Sequence, residues 1–257
     1  MGKYFTVEVK PTIDVAALAG GNIGDAEILS DWHGFDIPKG SARLMSMTIR
    51  YAGKNGAYTA PPDFELFWAK SYLGKAPGTL GGGAGAVDTF TSSWFPNIIG
   101  KSFVDTSATT NDGDLIIGNI VTVNNVNGGA ANVGGGQDSS GLVLTGEPDS
   151  GTNIGYDKIY VANISKEGSH NWGASTMAIN GTMSTSSPIL TVDGVDAIKA
   201  LSPGDVLRDE DNLLLGTVKT VDSATQVTLE SNLANASTND KLVYNTTPIT
   251  LLLSFEK

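Results

Sequence analysis

The chain has 257 residues, of which 32 are glycine, none is cysteine and 17% are charged. Its 16 Lys and Arg against 27 Asp and Glu give a formal net charge of −11. Such a surface repels phosphate backbones and anionic bilayers, so neither a nucleic acid nor a membrane is an expected partner. Without cysteine there are no disulfides and no thiolate metal sites, while a hydrophobic content of 40% is enough for a packed core.

Long stretches rich in Ala, Leu, Glu and Lys are missing, and Gly, Ser, Thr and Asn are dense throughout, which predicts an all-β chain with many turns. Met1 to Phe5 runs straight into a strand pattern with no apolar signal core. No apolar run reaches the roughly 18 residues that cross a bilayer. Folding in a cytoplasm is therefore expected. Met1, Gly2 and Thr6 match a loose myristoylation pattern, but the same residues serve the first strand.

In chain order, Tyr4–Val9 places Phe5, Val7 and Val9 on one face, and Pro11 ends the strand. Glu27–Ser30 leads to Trp32 and Phe35, and Ile37–Gly40 is a turn. From Ala42 to Tyr51 the chain alternates, with Met45, Met47, Ile49 and Tyr51 on the side of Arg43, a mismatch read as an exposed strand end. Phe64, Leu66 and Trp68 form a core strand that reaches the surface at Tyr72. Leu115–Val123, Leu142–Leu144, Tyr156–Ile164 and the weak Met177–Ile179 follow. These strands are enough for two packed sheets.

Residues 187–245 read as a small five-stranded barrel. Ile189–Val192 opens it, and a helical turn follows with Val195, Ile198 and Leu201 on one face. Ser202-Pro203-Gly204-Asp205 makes a corner, in which Gly204 permits the tight turn and Asp205 caps exposed amides. Asp209–Asn212 is a hairpin tip. The last run, Ile249, Leu251, Leu253 and Phe255, alternates cleanly and needs a partner sheet, so it is expected back in the large domain beside Tyr4–Lys10. The expected fold is a jelly-roll-like β-sandwich with an inserted SH3/OB-like barrel. It divides into residues 1–183, 184–246 for the barrel, and 247–257 for the returning strand.

Chemistry-bearing patterns are sparse. His33 and His170 lack the spacing of a metal site. Asp112 and Asp114, and Asp209, Glu210 and Asp211, lack the alternating ligands and distal Glu of a calcium loop and read as turns. Gly81–Gly85 has no strand-to-helix setting for phosphate binding. Trp68, Tyr72, Trp94, Phe95 and Trp172 are candidates for stacking on sugars, with ordinary core as the competing reading. Asn163, Asn180, Asn235 and Asn245 begin Asn-X-Ser/Thr triplets that read as turn-rich sequence. No catalytic, cofactor-binding or metal-binding residue is assigned, no cofactor is expected, and the chain is expected not to be an enzyme.

The opening Gly2–Ile13 and the run Phe35–Leu44 resemble the start of virion structural proteins of marine cyanobacterial tailed phages, over about the first fifth of the chain. Ala200–Leu207, Gly216–Val218 and Val221–Leu229 are similar to small barrels of phage head and tail proteins; the stretch from about 75 to 180 carries no resemblance. The resemblance implies a structural protein of the virion that decorates or cements the capsid exterior. Its implied partners are the major capsid protein or other virion proteins, and its own copies in a homo-oligomer such as a trimer. The alternative is a tail, baseplate or fibre protein that touches the host surface or a glycan.

Overall fold

The computed structural model describes residues 3–19, 22–51, 55, 63–80, 96–104, 119–123, 142–147, 156–166, 170–171 and 175–257. Two antiparallel sheets enclose the main core. The first contains β1 (Tyr4–Val9), β17 (Ile249–Glu256), β4 (Ser41–Tyr51) and β7 (Asn119–Val123) in that order, and β8 (Leu142–Thr145) shares the far edge of β4 with β7. The second has the order β3 (Ile28–Pro38), β9 (Tyr156–Ser165), β5 (Phe64–Lys70) and β6 (Ile98–Val104). β2 (Asn22–Ile23) and β10 (His170–Asn171) form a separate two-stranded ribbon. The short helix α1 (Val15–Ala19) adds Val15, Ala17 and Leu18 to the main core.

The last strand is central to the first sheet. Tyr4 pairs with Glu256 and Val9 with Leu251 on one side of β17, while Ile249 pairs with Tyr51 and Leu253 with Met47 on the other. Strand alternation sends Ile249, Leu251, Leu253 and Phe255 inward, all buried. They meet Leu66, Trp68, Ile159 and Val161 of the second sheet in one hydrophobic cluster. Phe5 stacks on Phe255 at 5.1 Å, and Phe35 meets Trp68 edge-on at 6.3 Å.

The mismatch in β4 is a β-bulge and not a frayed end. Ser254 pairs with Ser46 but Phe255 pairs with Leu44, so Met45 is the extra residue. Ala42 and Leu44 face the core on one side of the bulge, and Met47, Ile49 and Tyr51 on the other. The extra residue switches parity, which turns Arg43 outward without breaking the sheet.

Residues after 175 build a nearly closed, barrel-like sheet. Its order is β11 (Ala178–Ile179), β12 (Ile189–Asp193), β15 (Gln226–Leu229), β14 (Leu214–Ser223), β13 (Val206–Asp209) and β16 (Val243–Asn245). The barrel therefore has six strands where the sequence suggested five, because Ala178–Ile179 pairs with Val192 and Asp193 and bridges to Leu242. Inside, Ile179, Leu190, Val192, Leu207, Leu215, Val218, Val227 and Leu229 form a second core. The helical turn α2 (Ala197–Ala200) buries Ala197, Ala200 and the following Leu201, and Ile198 points outward at 53% exposure. In one helical turn, positions i, i+3 and i+4 share a face, and that face starts at Ala197 rather than Val195.

A change at a central strand tests this arrangement. Leu253→Ala should lower unfolding free energy by about 2–5 kcal/mol, read from chemical denaturation. Leu252→Ala, on the outward face of the same strand, should stay within about 0.5 kcal/mol.

Candidate functional site

The feature with the densest polar chemistry is the junction between sandwich and barrel. α2 starts at Asp196, whose carboxylate accepts the Ile198 N–H at 3.1 Å. After Leu201 the chain turns through Gly204 at φ +84°, and the Gly204 N–H donates to the Val218 carbonyl at 2.7 Å. A side chain at 204 would be strained at that φ, and its Cβ would press on Lys10 Nζ at 3.2 Å.

Asp205 gathers the junction. Its Oδ2 accepts the Ser202 N–H at 2.9 Å and the Asn245 amide at 2.8 Å. Its Oδ1 accepts the Ser202 hydroxyl at 3.2 Å and Lys10 Nζ at 2.8 Å. Lys10, just beyond β1, also donates to the Pro203 carbonyl at 2.8 Å, and Arg50 of β4 donates to Ser202 Oγ at 2.6 Å. The carboxylate is 2% exposed and the lysine 13%. An ion pair so withdrawn from water holds only where further hydrogen bonds satisfy the carboxylate, as they do here.

Next to this hub, β16 serves both cores: Val243 enters the barrel and Tyr244 the sandwich cluster. Thr246 and Thr247 continue the seam. The Ile13 N–H donates to the Thr246 carbonyl at 2.7 Å, and the Val206 N–H donates to Thr247 Oγ1 at 2.9 Å.

Between the two modules lies an open cleft of about 290 Å³. Glu8, Lys10, Thr48, Arg50, Thr250 and Leu252 line it from the sheet, and Ser202 and Pro203 from the barrel. The carboxylate among these lining residues is Glu8, while Asp205 of the adjoining corner has both oxygens engaged in hydrogen bonds and serves as a clamp. Of the junction residues, the sequence exposed only the Gly204-Asp205 corner. Lys10, Arg50 and Asn245 reach it from far along the chain, and no local pattern marks them.

The acidic tip is organised by its own first residue. Asp209 is fully buried; its Oδ1 accepts the N–H groups of Asp211 and Leu213 at 3.1 and 2.9 Å, and its Oδ2 accepts the Ser237 hydroxyl at 3.3 Å. Lys241 pairs with Asp211 and lies 3.7 Å from Asp209. The hydrogen bond to Asp211 holds the lysine ammonium above its usual pKa. Among the described residues, no three His, Asp or Glu side chains converge as metal ligands, and no helix is long and apolar enough to cross a membrane.

His33 in β3 and His170 in β10 stand in different sheets. Burial, then the nearby Lys158 ammonium, lowers the His33 pKa below its ordinary value. Trp68 is not available to a sugar: it is fully buried and its Nε1 donates to Ser102 Oγ at 2.9 Å. Tyr72 is 44% exposed. Trp94, Phe95, Trp172, Asp112, Asp114 and Gly81–Gly85 lie outside the described residues. Of the Asn-X-Ser/Thr asparagines, Asn163 is fully buried, and the amides of Asn235 and Asn245 donate to the Leu214 carbonyl and to Asp205.

Two outcomes test the site. Asp205→Ala removes the acceptor of Asn245 and of the Ser202 N–H, leaves the Lys10 ammonium with the Pro203 carbonyl but no counter-charge, and should cost about 3–5 kcal/mol in chemical denaturation. The further change Lys10→Met should restore part of that loss. His33, with its folded pKa depressed, contributes stability that is present above its unfolded pKa of about 6.5 and is lost as pH falls through the folded value. The melting temperature of the native chain should therefore fall more between neutral pH and mild acid than that of His33→Gln.

No protein-family model, no curated protein and no solved structure matches this chain.

Proposed function

We propose that this chain is a non-enzymatic structural protein of a tailed-phage virion that decorates the capsid exterior by binding the lattice of the major shell protein. The observation that carries the reading is the docked barrel. Asp205, Lys10, Arg50 and Asn245 fix a second β-module on the outer face of the sandwich through polar contacts gathered around the buried Asp205 carboxylate. A binding protein gains from such preorganisation, because two surfaces held in fixed relation meet a lattice without an ordering cost. Asp205 and Asp209 are both engaged in structural hydrogen bonds, at the corner and at the tip. The resemblance of Gly2–Ile13, Phe35–Leu44 and the barrel segments to virion proteins supports the same reading. On a lattice, many weak contacts add through avidity.

Copy number in purified particles tests the assignment. A decorating protein should approach the abundance of the major shell protein, and recombinant chain should bind shells that lack it. Abundance at a small fraction of the shell protein, with no binding to such shells, would overturn the capsid reading and place the chain in the tail, baseplate or fibre.

A further inference from the structure

The open edge of the first sheet points to a partner. Lys3 and Lys257 exchange both backbone hydrogen bonds, at 3.3 and 2.9 Å, so the odd-numbered residues of β1 face β17. By antiparallel alternation, the N–H and C=O groups of Tyr4, Thr6 and Glu8 point away from the sheet. Among the described residues no strand pairs with that side of β1. The inward side chains there are also incompletely covered. Phe5 and Val7 are only half-buried, whereas Phe255 and Leu253, their neighbours on β17, are buried.

We propose that this edge is a self-association surface, on which β1 of a second copy of this chain pairs antiparallel about a two-fold axis through Thr6. The inference is independent of any role in a virion. Backbone groups spaced along an open strand edge are a ready template for another strand, and the sequence of β1 suits its own copy. With Thr6 opposite Thr6 of the second copy, Tyr4 faces the second copy's Glu8. All three outward residues then meet outward residues, and six backbone hydrogen bonds close, by the alternation of an antiparallel pair. The same register puts Phe5 against the second copy's Val7 on the core side, where both are only half-buried, and gives a Thr–Thr pair on the axis.

Charge does not oppose this pairing. Within a chain of net charge −11, residues 3–10 carry Lys3, Glu8 and Lys10, a local excess of one positive charge. Antiparallel pairing places Lys3 of each strand opposite Val9 of the other, between its Glu8 and its Lys10, so no like charges stand directly opposite each other. An isologous contact of this kind closes on itself and gives a dimer without an open filament.

The absence of cysteine allows a clean test on the isolated full chain. In an antiparallel hydrogen-bonded pair, Cα atoms stand about 5.5 Å apart, within the range of about 4.4–6.8 Å that a disulfide spans. Thr6→Cys should therefore oxidise rapidly to a covalent dimer, while Thr220→Cys, exposed on the barrel, should not. By sedimentation the native chain should be a dimer. Thr6→Pro removes the N–H at the axis but none that faces β17, so it should be a monomer with an unchanged far-UV spectrum. A native chain that sediments as a monomer or trimer at high concentration would overturn the proposal. So would a Thr6→Cys variant that crosslinks no faster than Thr220→Cys.

Discussion

One buried carboxylate fixes how the two halves of this protein meet. Asp205 sits where the barrel's corner touches the sandwich, and it accepts hydrogen bonds from its own corner, from the last barrel strand and from Lys10 at the end of the first sandwich strand. Its partners come from three distant parts of the chain. A charged group withdrawn from water tolerates no loose geometry, since each lost partner leaves desolvation uncompensated. Apolar contact across the same seam would allow sliding; the carboxylate specifies one orientation. Tyr244 and Val243 then point into separate cores from adjacent positions, so the barrel turns against the sandwich only by disturbing both.

The connectivity reinforces this constraint. The chain leaves the sandwich for the barrel after the ribbon strand at His170–Asn171 and returns through Thr246 and Thr247 to a strand in the middle of the first sheet. β17 is flanked by β1 and β4. The sandwich therefore completes its first sheet only with residues that follow the barrel in sequence. Pairings of such large separation are entropically expensive to close. The clean inward set Ile249, Leu251, Leu253 and Phe255 offsets that cost by removing a continuous apolar stripe from water.

How much of this was legible in the sequence depends on whether a feature is local. Period-2 alternation marked β1, β5, β9 and β17, and turn residues marked the corner at Gly204-Asp205 and the tip at Asp209, because those signals lie within a few positions. The bulge at Met45 was not legible: a parity switch reads as a mismatched Arg43 until the register against Ser254 and Phe255 is known. Ile198 was misplaced because a single helical turn has too few positions for periodicity to set its phase. Trp68 carried the same letter whether core or sugar platform, and only its burial and its bond to Ser102 decide between them. The junction was hidden for the same reason. Asp205 is visible as a corner residue, but Lys10 lies 195 positions away, and nothing near either residue announces the other.

β1 links the junction to the open edge. Its carboxy-terminal end presents Lys10 to the barrel, while its free side presents Tyr4, Thr6 and Glu8 to solvent. The clamp that orients the barrel therefore also fixes the barrel relative to the edge. In the pair we propose, the two Lys10 positions lie eight strand residues apart across the axis, about 26 Å at 3.3 Å per residue. The two barrels would then stand at opposite ends of one continuous sheet, facing in directions set by the two-fold. A repeating surface bound by such a dimer would be met twice at a fixed spacing, and the second contact would form at the high effective concentration that a rigid link provides. Geometry held by a single buried carboxylate thus sets the direction in which each barrel projects, and the register of the proposed pair would set the distance between the two.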